Sequence, residues 1–253
     1  MEFPGKSQLD EFRKYSVPIF RSNRGRPQIV GTGFFLQAGD SSVLVSARHV
    51  LWELKSENYF IYITAKIAMP LTGSVSCFSK TSAGVDIDIG ILSPHKDITA
   101  DPRCSFKVVS SSCTRPNLLP RTDYTYALFG FPESRSKVDP LRRAVNSKLY
   151  SYSSQSQPKE TYASLGLEFD SHICMKYDPK DGYDAHTGKH QNLPKPQGFS
   201  GAPIWVIGQT RNSPELEEPC VVGVATKHLK EGRSIYGADI RYAEQLYAET
   251  LLA

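Results

Sequence analysis

Thirteen short runs rich in valine, isoleucine, phenylalanine and tyrosine, each closed by glycine, proline, asparagine, aspartate or serine, set the rhythm of this 253-residue chain. They fall at 17–21, 29–37, 42–46, 59–65, 75–79, 88–92 and 106–109, then at 124–131, 148–153, 172–177, 202–208, 220–226 and 234–238. Many short strands between frequent turn signals favour a sandwich or barrel over a helical fold. With 40% hydrophobic and 11% aromatic residues the chain has enough apolar surface for a real core, so disorder is excluded. Gly31 and Gly33 interrupt the second run at alternate positions, as expected where a barrel corner bends sharply or another backbone comes close.

Residues 112–120 collect serine, threonine, proline and asparagine between strand-like runs and read as a linker. The boundary is placed near residue 115, giving one unit over 1–115 and another over 116–253. Residues 178–197 are rich in glycine, proline and aspartate, lack periodicity and lead directly to Ser200; they read either as a regulatory loop or as a plain insertion. At the end of the chain Ile240, Ala243, Leu246, Tyr247 and Leu251 recur at helical spacing behind Asp239, a suitable N-cap, so a single amphipathic helix is expected over 239–253.

Thirty basic and 26 acidic residues leave a formal charge of +4 without any block of like charge, which argues against a nucleic-acid partner. Arg13, Lys14, Arg24 and Arg26 read as solvated surface. No stretch approaches the roughly 20 apolar residues of a membrane span, and the first twenty residues lack the apolar core of a signal peptide. The five cysteines are odd in number, far apart and free of CxxC or zinc spacing. Reduced thiols, a cytoplasmic location and no metal are therefore expected. His95, His172, His186, His190 and His228 read as surface or loop residues.

Three segments carry the chemistry. Val45-Ser46-Ala47-Arg48-His49-Val50 ends an apolar strand on a small-residue turn that presents a histidine. Asp86-Ile87-Asp88-Ile89-Gly90 opens an apolar strand on an acid, with Asp86 and Asp88 on the same face. Gly198-Phe199-Ser200-Gly201-Ala202-Pro203 sets a serine between glycines before another strand. Acyl transfer at neutral pH needs a nucleophile, a base held in the correct tautomer and donors for the developing oxyanion. These segments supply the residue types for all three.

Taken in order, the segments resemble the trypsin-like serine peptidases, with bacterial HtrA-related domains the nearest in motif. Gly31-Thr32-Gly33-Phe34-Phe35 is similar to that family's Gly-x-Gly-Phe strand. His49-Val50 resembles its base motif, with Arg48 inserted before the histidine. Asp88-Ile89-Gly90-Ile91-Leu92 is similar to its Asp-Ile-Ala-Val-Leu strand, which favours Asp88 over Asp86. Gly198-x-Ser200-Gly201-x-Pro203 resembles its nucleophile loop, and Val222-Gly223-Val224-Ala225-Thr226 its substrate-flanking strand.

The resemblance implies an all-β fold of two six-stranded antiparallel barrels with a C-terminal helix. It implies Ser200 as nucleophile, His49 as general base and Asp88 as the group orienting the base. The Gly198 and Ser200 amides would form the oxyanion hole, and Thr226, Lys227 and His228 would line the substrate. No cofactor is implied, and the partners are protein or peptide substrates with room for a separate activator or regulatory protein. Phe199 stands where the family usually has Asp or Asn, so activation through a newly cut N-terminus is not implied. Pro194 occupies the position of trypsin's specificity aspartate, which removes a simple Arg/Lys preference and leaves an acidic side chain near Lys195 or Lys227 as an option. A trypsin-like domain with weak or no catalysis, acting by binding, is the alternative.

Overall fold

The structure is a computed structural model that describes residues 11–55, 58–81, 84–119, 121–135, 137–139, 144–180, 182–184, 189–192, 195–209, 218–229 and 233–251. In the first half come β1 (Val17–Asn23), β2 (Arg26–Ala38), β3 (Ser41–Ala47), β4 (Tyr59–Tyr62), β5 (Ala68–Pro70), β6 (Gly73–Lys80) and β7 (Asp86–Pro94), of which all but β5 follow the expected runs. They pair in the order β5-β4-β1-β2-β3-β7-β6, and the two-residue β8 (Val108–Val109) lies parallel to β2. In the second half come β9 (Tyr124–Gly130), β10 (Lys137–Asp139), β11 (Ala144–Asn146), β12 (Tyr150–Gln155), β13 (His172–Lys176), β14 (Gly182–Asp184), β15 (His190–Gln191), β16 (Pro203–Gln209), β17 (Cys220–Leu229) and β18 (Ser234–Asp239). Their sheet runs β13-β18-β17-β16-β9-β12-β14-β15, with β10 and β11 as a separate hairpin.

Both sheets curl until their edges meet. Between β5 and β6, Leu71 N donates to Tyr59 O at 2.9 Å while Thr72 O accepts from His95 N at 3.0 Å. The chain thus passes from β4 to β7 as one bent strand. Gly73 makes that bend at φ +156°, where an added Cβ would sit 2.1 Å from Ser93 O. In the second sheet the end of β12 reaches β13 through the Ser156–Met175 bridge and a 2.7 Å bond from Gln157 N to Cys174 O. Six principal strands make each ring, as the sequence leads one to expect, and β8, β14 and β15 are short additions. Residues 178–197 are therefore not all loop: β14 and β15 form a hairpin on the edge beyond β12.

Adjacent residues on the central strands face different cores, which is why these runs are nearly continuous in apolar residues. Phe35, Leu44 and Leu92 point into the first ring, whereas their neighbours Phe34, Val45 and Ile91 point out toward the second. Leu128 and Ile204 fill the second ring, whereas Phe129 and Trp205 turn back toward the first. Each such side chain gains about 1.5–3 kcal/mol by leaving water, so burial fixes strand register and barrel docking together.

Among the described residues α1 (Arg48–Trp52), α2 (Lys159–Ser164) and α3 (Arg241–Leu251) accompany the sheets. In α3, Ala243 and Leu246 enter the core shared by both rings, and Asp239 Oδ1 accepts from Arg241 N at 3.0 Å as the expected cap. Among the described residues no helix is long and apolar enough to cross a membrane.

Candidate active site

β3 delivers its chain to the rim of the first ring, where α1 begins with Arg48 and turns His49 toward the groove. β7 starts at the same rim. Asp88 sits there at φ +20°, at the edge of a region that non-glycine residues rarely occupy, a local strain that persists only where the surroundings fix it. Those surroundings are bonds to His49: Asp88 Oδ2 lies 2.6 Å from His49 Nδ1, and Oδ1 accepts from the His49 backbone N–H at 3.0 Å. Arg48 Nε stands 3.8 Å from Asp88 Oδ1 and adds positive charge beside the carboxylate. Asp86 faces the same cleft but makes no bond to His49 among the described residues, so the geometry pairs the imidazole with Asp88.

Ser200 comes from the other ring. Gly198 (φ +100°) and Gly201 (φ +89°) bracket it in left-handed conformations that only glycine takes without strain. Among the described residues, the amides of Phe199, Gly201 and Ala202 are spent on Pro196 O, Ala225 O and Phe199 O. Those of Gly198 and Ser200, the expected oxyanion donors, bond to no described acceptor. The Ser200 hydroxyl donates to Thr226 O at 3.3 Å, and no hydrogen bond joins it to His49 among these described residues. Both side chains nevertheless line one cleft of about 790 Å³, together with Asp88, Thr226, Lys227 and His228. The pairing of β17 with β18 shifts register between Ala225 and Lys227, and this bulge turns the Thr226 carbonyl toward the serine.

The nucleophile loop is held from both sides. Phe199 is buried in the second core with its ring against Gly130, where a Cβ would lie 2.2 Å from the ring. An apolar anchor thus occupies the position where the resembling family usually carries an acid. On the other side Thr32, fully buried in β2, donates through its hydroxyl to Gly198 O at 2.7 Å and through its amide to Ser200 O at 2.8 Å. The same hydroxyl accepts from Phe131 N at 3.1 Å. Gly31 lets the loop come this close, since a Cβ there would meet Ser200 O at 3.0 Å. Sequence reading took Gly31 and Gly33 as a corner and passed over the threonine between them; a lone hydroxyl in an apolar strand was the available signal.

Of the histidines expected at the surface, His95 and His190 are exposed, and His186 lies outside the described residues, as does Pro194. His228 borders the cleft with its ring against Tyr177. His172 corrects the expectation: it is 2% exposed, because its ring bridges the two barrels and leaves no face to water. Burial pushes its proton affinity below the ordinary histidine value.

No protein-family model matches this chain, and no curated protein matches it in sequence. Among solved structures, a scabies mite inactivated protease paralogue, S-I1, is similar over 98% of this chain and 98% of its own, at 14% identity and a TM-score of 0.55. A chain from a structure concerning the coupled folding and binding of the intrinsically disordered Sesbania mosaic virus VPg protein aligns over 89% of this chain and 87% of its own, at 15% identity and a TM-score of 0.49. At such identities likeness speaks to fold alone, and the first of these gives the architecture its class: a trypsin-like fold of two curled β-sheets with a C-terminal helix.

Proposed function

We propose that this chain is a serine endopeptidase that cleaves protein or peptide substrates through an acyl-enzyme, with Ser200 as nucleophile, His49 as general base and Asp88 as its orienting acid. The supporting observation is the 2.6 Å contact between His49 and Asp88 on the same cleft as the Ser200 hydroxyl. The Asp88 carboxylate keeps the proton on Nδ1, which leaves Nε2 with the lone pair a base needs. To reach His49 the serine hydroxyl would have to leave Thr226 O, which a change of its χ1 rotamer would allow. That change also frees the Thr226 carbonyl for a substrate amide, with Lys227 and His228 continuing along the bound chain. The amides of Gly198 and Ser200 would receive the oxyanion, where one such donor contributes about 3–4 kcal/mol. Kinship with HtrA-related domains, a reducing cytoplasmic setting suited to five cysteines that form no disulfide, and control by a separate protein belong to the same proposal.

Beside Ser200 a recess lined by Pro196, Phe199, Ala225 and Ile235, and also by Thr226, Lys227 and His228, measures about 20 Å³. One water needs about 10–15 Å³ on such a measure, so the recess suits a methyl-sized group. We expect alanine or glycine on the acyl side of the cleaved bond, with leucine, lysine and glutamate at least about ten-fold slower, one methylene being worth about 1–3 kcal/mol in a tight pocket. A peptide-library digest analysed by mass spectrometry reads this directly, and a preference for large or charged residues refutes it.

A second reading is favoured by the resting Ser200 hydroxyl, which bonds to Thr226 and not to His49: the domain would bind without turning substrate over. The solved structure of similar fold is described as an inactivated protease paralogue, which fits that reading in kind. A fluorophosphonate probe separates the two. Covalent labelling of Ser200, located by peptide mapping, supports the peptidase; folded protein that stays unlabelled supports the binding domain.

A further inference from the structure

Thr32, from the first barrel, holds the loop that carries the second barrel's serine. The converse contact is made by His172. It begins β13 in the second barrel, and its Nε2 lies 2.9 Å from the backbone oxygen of Asp86, two residues before Asp88 on β7. A carbonyl oxygen only accepts, so Nε2 carries the proton. Nδ1 lies 3.2 Å from Glu168 O and 3.3 Å from Glu168 N, and a neutral ring protonated on Nε2 uses it to accept from the latter. The ring packs edge-on against Tyr236, itself a wall of the cleft. Burial lowers its proton affinity, aided by the Arg121 guanidinium, against the Asp86 and Glu168 carbonyls and the Glu168 carboxylate, which raise it.

We propose that His172 is a positioning residue, a strut from the second barrel that sets where the first barrel presents Asp88 to His49. The entrance of β7 needs such a strut. Asp88 holds an unfavourable φ, and β7 begins only two residues earlier, at Asp86. Without the bond to its carbonyl, Asp86 keeps its ladder pairing with Lys80 but loses its tie to the second barrel, and Asp88 can relax away from the imidazole. The rate consequence rests on the peptidase reading, whereas the geometric one does not.

The test replaces His172 with Phe, which keeps the ring against Tyr236 and removes both nitrogens, and with Gln, which keeps an amide donor. The first readout is the low-field proton resonance of the His49 Nδ1–H shared with Asp88, which reports their distance whether or not the protein turns over substrate. The second is the rate of fluorophosphonate labelling. His172→Phe is expected to shift or broaden the resonance and slow labelling about ten-fold or more, as displaced catalytic groups do, and His172→Gln to recover part of both. An unchanged resonance in folded His172→Phe overturns the proposal. So does nitrogen NMR of the wild-type protein showing His172 protonated on Nδ1 instead of Nε2, a result that needs no variant. Wild-type protein that shows the resonance but takes no label refutes the peptidase reading and leaves the strut standing.

Discussion

Replacing Asp88 with Asn is expected to lower kcat, or the rate of fluorophosphonate labelling, about 10⁴-fold while leaving the melting temperature within a few degrees. The reason lies in which oxygen does what. Asp88 Oδ1 accepts from the His49 backbone N–H at 3.0 Å with Arg48 Nε 3.8 Å away, so two donors face that position. An asparagine has one oxygen, and this is where it must go. Its NH₂ group then faces His49 Nδ1, in place of the Oδ2 that lies 2.6 Å from it. A donor at that point forces Nδ1 to accept and moves the ring proton to Nε2, the nitrogen that should take the proton of Ser200. The base is present, correctly placed and in the wrong tautomer. Asp86→Asn supplies the control, with an expected change of no more than about three-fold, because the backbone and not the carboxylate of Asp86 makes the contact to His172. A loss of less than ten-fold in Asp88→Asn, or an equal loss in Asp86→Asn, would remove Asp88 from the mechanism.

How far the chain could be read without coordinates depended on how local each cause is. The six principal strands of each ring were visible because alternation and β-branched residues act within a few positions, and the α3 helix because its apolar spacing does too. The three segments around His49, Asp88 and Ser200 were legible for the same reason: each combines a small-residue turn with the strand beside it. α1 was not seen, because five residues are too few to display a helical period. The bend joining β5 to β6 was hidden at a proline and a glycine that read simply as breakers. The residues that fix the site across the barrels were out of reach on different grounds. Thr32 bonds to Gly198 across 166 positions and His172 to Asp86 across 86, and no local pattern encodes such a meeting. Asp239 was legible only in part. Its role as helix cap follows from the neighbouring sequence, but its partner Arg121 looks like any surface arginine until the fold encloses it.

That enclosure makes Asp239→Ala the substitution with the largest expected cost in stability. Asp239 and Arg121 are both fully buried, with Oδ2 2.8 Å from Nη2. The carboxylate also receives Arg241 N at 3.0 Å and Asn117 N at 3.2 Å, so it ties the segment around Asn117, the end of β18 and the start of α3 to one point. Arg121 gives its remaining reach to Phe169 O and Asp170 O, and its Nη1 has no hydrogen-bond partner among the described residues. Removing the carboxylate therefore strands a guanidinium, which cannot shed its proton, at a fully buried position. Breaking a buried pair in this way costs about 3–5 kcal/mol. At roughly 2–4 °C per kcal/mol for a chain of this size, the melting temperature should fall by about 6–20 °C. The double variant Arg121→Met with Asp239→Leu removes both charges and fills similar volume, so it should be more stable than Asp239→Ala despite carrying one more substitution. Denaturant unfolding of the three proteins measures the coupling. If Asp239→Ala costs less than about 1 kcal/mol, Arg121 must find other compensation, and the pair does not hold the segment around Asn117 and α3 against the second barrel.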